Sequence, residues 1–194
     1  LFTGSATNGK GGDFLLSVGS GTKYDGGHIE MTAGLSTAAA GGTGGAVSIS
    51  TGEGEASSSG AVIVKTLNAG ASGVSGTLSF TSGTTSNGGS GRIRLATGSA
   101  TNGEGGDIIV SVGKSKTDAG GDVWVTAGHS EPFTGGAVSI TSGEGSTDTS
   151  GAVIIKTMNA GTSGVSGMLS FTTGTASSGT SGQINLFTGS ATNG

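Results

Sequence analysis

Cysteine is absent from these 194 residues and proline occurs once. The first absence excludes a disulfide framework and any thiolate-held zinc or iron–sulfur site. The second excludes collagen, since glycine does not fall at every third position either. Aromatic residues make up 4% of the chain and charged residues 10%. Eight basic against twelve acidic side chains leave a net charge of −4. So few cations argue against nucleic acid as a partner. No apolar run approaches the ~18 residues of a membrane span, so no membrane insertion is expected. Glycine, by contrast, supplies 44 residues, and serine and threonine supply 58 more. Such a chain disfavours helix, because glycine loses much backbone entropy and serine and threonine prefer turns and strands. Composition alone would suit a flexible linker. The order of the residues points elsewhere.

The whole chain is one tandem repeat, and repeats govern everything read after them. Each unit reads apolar, any, apolar, any, small, Gly, then a polar loop closed by Gly and one variable residue. The first apolar positions are Phe14, Ile29, Val47, Val62, Leu78, Ile93, Ile108, Val123, Val138, Val153, Leu169 and Ile184. They stand 15 or 16 residues apart, with one gap of 18. A glycine stands two residues before each, from Gly12 to Gly182. A longer period overlies this one. Val47, Val62, Leu78 and Ile93 recur 91 residues later, whereas Phe14 and Ile29 recur after 94. The three extra residues lie in the loop around Leu35 to Thr43. LFTGSATNG opens the chain and closes it, and 95–103 read LATGSATNG. The expected organisation is a single continuous window: six-coil repeats over about 1–94 and 95–185, with the next starting at 186. A window of this kind reads as cut from a longer array.

Alternation over four or five residues is a strand signal. In Val47-Ser48-Ile49-Ser50-Thr51 it sets Val47, Ile49 and Thr51 on one face. Fifteen residues cannot hide two apolar side chains alone, but neighbours stacked at ~4.8 Å can. The expected fold is therefore all-β: a β-solenoid of about twelve coils of 15–16 residues, arranged as two six-coil repeats. The apolar pairs should be buried, and glycines such as Gly52 and Gly60 should turn the corners with positive φ. Leu67-Asn68 and Met158-Asn159 replace the first corner glycine in two 16-residue coils, each of which adds an apolar residue, Val74 or Val165. Asn68 and Asn159 should take over those corners, since asparagine tolerates the left-handed region.

The strand–TG–loop–GG pattern, carried by SGAVIVKTLNAGASGVSGTLSF and TGSATNGEGGDIIVSVG, resembles the Gly/Ser/Thr-rich arrays of extracellular proteins from stramenopile algae and oomycetes. The resemblance spans the full length. It implies a secreted surface or fibre protein, as in flagellar hairs or a cell covering. It implies no catalytic residue.

Motifs with a chemical look have plainer readings. Gly4 to Lys10 approaches a phosphate-binding loop, but residue 11 is Gly, Glu104 replaces the lysine in the second copy, and no helix follows. Asp107 and Asp122 would sit on adjacent coils and are the candidate calcium ligands. His28 replaces the second carboxylate in the first copy, and Arg92 would offset the repulsion, so a cross-strand charge ladder explains them equally. No cofactor and no enzyme activity are expected, because His28 and His129 share no coil position with a nucleophile. No Asn-x-Ser/Thr acceptor for N-glycans is present.

The outward position of each strand is the most telling. Leu15, Ile63, Ile109 and Ile154 place an apolar side chain there every third coil, and Trp124 and Phe187 join the stripe. An exposed apolar stripe of fixed period suits a contact surface, and aromatics suit its centre. The functional expectation is the structural subunit of an extracellular filament or surface fibre, with end-to-end continuation and lateral bundling of copies. The rivals are an ice-binding or other flat-surface module and an adhesin stalk. A rank of Ser17, Thr32, Ser50 and Thr81 favours the lattice binder, but Lys65, Lys156 and Phe187 interrupt it.

Overall fold

The computed structural model describes residues 2–131 and 133–191. Leu1, Pro132 and 192–194 lie outside the described residues, and with them the Leu1 side of the expected equivalence between Leu1 and Leu186. By their internal contacts the residues divide into two units, Leu1–Ala96 and Thr97–Gly194.

The β-solenoid is overturned. Among the described residues there is neither helix nor strand. The apolar pairs are not buried either: Val47 is 57% exposed and Ile49 68%. No described residue of any type is buried. The physical reason lies in the repeat itself. Each coil offers two apolar side chains for fifteen ordered residues, about a fifth of them glycine, and that burial is too small to offset the lost backbone freedom. The accessible surface is 19405 Å² for 18.1 kDa. A folded monomer of this mass exposes about 8100 Å², so this chain shows more than twice that.

What the repeat does build is a series of necked loops. In the first unit the backbone bends at 7–9, 22–24, 39–41, 55–57, 71–72 and 86–88. In the second it bends at 101–103, 116–118, 131 and 133, 146–148, 162–164 and 177–179. The bends fall one per repeat loop. At the base of six loops the closing glycine donates its N–H to the carbonyl of the glycine that opens the loop. The pairs are Gly12–Gly4 (3.0 Å), Gly27–Gly19 (3.2 Å), Gly45–Gly34 (2.8 Å), Gly60–Gly52 (3.1 Å), Gly136–Gly128 (2.9 Å) and Gly151–Gly143 (3.0 Å). Five of these necks span eight residues and Gly34–Gly45 spans eleven, so the longer loop around Leu35 to Thr43 keeps the same base.

Steric closeness explains the glycine at each base. A Cβ added there would meet the small or β-branched side chain just before the loop opens. The distance would be 3.1 Å at Gly12 (Thr3), 2.8 Å at Gly121 (Val112) and 3.6 Å at Gly106 (Thr97). All twelve closing glycines have such a neighbour, Val18 standing nearest of all to Gly27. The corners thus need closeness rather than left-handed backbone, which corrects the expectation for Gly52 and Gly60. Positive φ occurs instead at the loop bends, at Gly41 (78°), Gly88 (131°) and Gly179 (111°). No non-glycine residue described has positive φ, so Asn68 and Asn159 do not take a left-handed corner. In those two loops the neck forms around Thr66–Gly76 and Thr157–Gly167, with Leu67 and Met158 as the extra residues. Val74 and Val165, expected inside a wider coil, are exposed.

Candidate functional site

The surface with a repeating chemistry is the apolar one. It follows the alternation of the sequence even without strands. The twelve first apolar positions are 49 to 62% exposed, half sheltered by their own loops. The six candidate interface residues, Leu15, Ile63, Ile109, Trp124, Ile154 and Phe187, are 77 to 88% exposed. The structure therefore places every one of the six at the surface, where a partner can reach it. Tyr24, Leu35 and Phe133 are equally open in the loops. They belong to the same exposed apolar inventory, and the strand pattern gave no reason to single them out.

Charges are few and solvated. Lys10 Nζ donates to Asp13 Oδ2 at 2.7 Å across the first neck, with both side chains over three-quarters exposed. His129 Nε2 lies 3.4 Å from Glu131 Oε1. Exposed pairs like these contribute little to stability. Asp107 and Asp122 are exposed. Among the described residues no three His, Asp or Glu side chains gather as a cation site would require. No cavity is present among them that could hold a small molecule, and no helix long and apolar enough to cross a membrane.

The neck pairs and the Lys10–Asp13 bridge were not read from the sequence. The signal was available in the residue-by-residue alignment of the two long copies. Position 10 is Lys in the first copy and Glu104 in the second, while Asp13 and Asp107 match. Comparison with family models, with curated proteins and with solved structures gives no match.

Proposed function

We propose that the chain is a structural protein that associates with copies of itself, in an extracellular filament or surface fibre. One observation carries this reading: an apolar repeat that shelters nothing within the chain. Hydrophobic side chains left in water at a fixed sequence period gain free energy only by meeting a partner. A tandem array meets itself most readily, because every copy offers the same period. Few charges and no cysteine leave little to titrate or oxidise. The extracellular setting rests on the resemblance of SGAVIVKTLNAGASGVSGTLSF and its neighbours to surface-fibre arrays.

Sedimentation velocity and electron microscopy over a concentration series test the proposal. Oligomers that lengthen into fibres as concentration rises are the expected result. A chain that stays monomeric at millimolar concentration would sink it.

A further inference from the structure

The two units differ in charge although they share one repeat. Leu1–Ala96 carries five basic and five acidic residues, and Thr97–Gly194 carries three and seven, giving net charges of 0 and −4. The difference is concentrated at equivalent positions. In the first unit Lys10 bridges to Asp13 across the neck at 2.7 Å. Ninety-four residues later the same two positions hold Glu104 and Asp107, two carboxylates with no lysine between them. His28 likewise becomes Asp122.

Apolar rows of one period fit each other equally well in many registers. Shifting one copy by a whole repeat restores every apolar contact. Charge then decides among registers, since like charges placed together are penalised and opposite ones steer the encounter. Two copies aligned residue for residue would set Glu104 and Asp107 against a second Glu104 and Asp107. A shift of one unit sets Lys10 of one copy against that acidic pair in the other, and His28 against Asp122. We infer that copies of this chain associate with the first unit of one beside the second unit of the next, residue n beside residue n + 94. The inference rests on the self-association reading and adds its register.

The absence of cysteine makes the register measurable. Ala6 and Ala100 are exposed, occupy equivalent loop positions 94 residues apart, and carry no charge. Full-length Ala6→Cys and Ala100→Cys chains are mixed in equal amounts, equilibrated under reductant and then oxidised. Random pairing makes half of the disulfide dimers mixed. The unit-shifted register raises the mixed share to about three quarters or more at low ionic strength. The excess falls away at 1 M salt, where the Debye length is about 3 Å. It also disappears when Lys10→Glu is added to the Ala6→Cys chain. A mixed share at or below half at low salt overturns the register while leaving self-association standing. An absence of any disulfide dimer at high protein concentration overturns both.

Discussion

The smallest unit of order in this protein is a contact between one glycine and one side chain. Gly12 sits where a Cβ would come 3.1 Å from Thr3, and Gly121 where it would come 2.8 Å from Val112. Gly106 has more room, at 3.6 Å from Thr97. The necks should therefore respond unequally to the same substitution. Gly121→Ala forces Val112 aside and opens its neck, whereas Gly106→Ala adds a methyl at ordinary van der Waals distance. The check is the cross-neck nuclear Overhauser effect between the two sides of each loop. It should vanish in Gly121→Ala and persist in Gly106→Ala. The same reasoning explains why the glycines were misread as corners. From sequence, an obligatory glycine signals either positive φ or close approach, and both meanings give the same letter. Only Gly41, Gly88 and Gly179, inside the loop bends, use the first.

At the scale of the repeat element, periodicity was legible and pairing was not. The spacing of Phe14, Ile29, Val47 and their successors marks twelve loops, and a backbone bend falls in each. The alternation around Val47 and Ile49 also left a trace, since first apolar positions are more sheltered than outward ones such as Ile63 and Ile109. Strand formation needed more than alternation. A strand exists only when a neighbouring backbone accepts its hydrogen bonds, and two apolar residues in fifteen supply too little burial to hold that neighbour in place. The candidate surface was legible because exposure asks nothing of pairing: Leu15, Trp124 and Phe187 are open in the absence of any sheet. Replacing Leu15, Ile63, Ile109 and Ile154 with lysine should leave the single chain unchanged, because these side chains already stand in water. It should also abolish association, since burying each against a partner would contribute ~1.5–3 kcal/mol. Light scattering on the quadruple variant gives the readout. Normal fibres from that variant would remove these residues from the interface.

Across the whole molecule the consequence is thermodynamic. A cooperative transition needs a core whose loss exposes surface all at once. No described residue of this chain is buried. Dilute protein should accordingly show a featureless melt by calorimetry, with little heat-capacity change, since most apolar surface is already hydrated. Concentrated protein should develop a transition whose midpoint rises with concentration, as mass action requires when association supplies the burial. A sharp, concentration-independent transition in dilute solution would contradict both statements.

The neck at Gly34 and Gly45 holds one more implication. It closes eleven residues with a 2.8 Å hydrogen bond of the same kind that elsewhere closes eight. Lengthening a flexible loop from eight residues to eleven costs about 0.3 kcal/mol of closure entropy. Each loop is thus an almost free site for inserted sequence, anchored at its base and indifferent to its length. A recognition peptide grafted between Leu35 and Thr43 would be presented once per chain. In a fibre of such chains it would recur at the spacing of the chains themselves, turning the repeat into a ruler for whatever is hung on it.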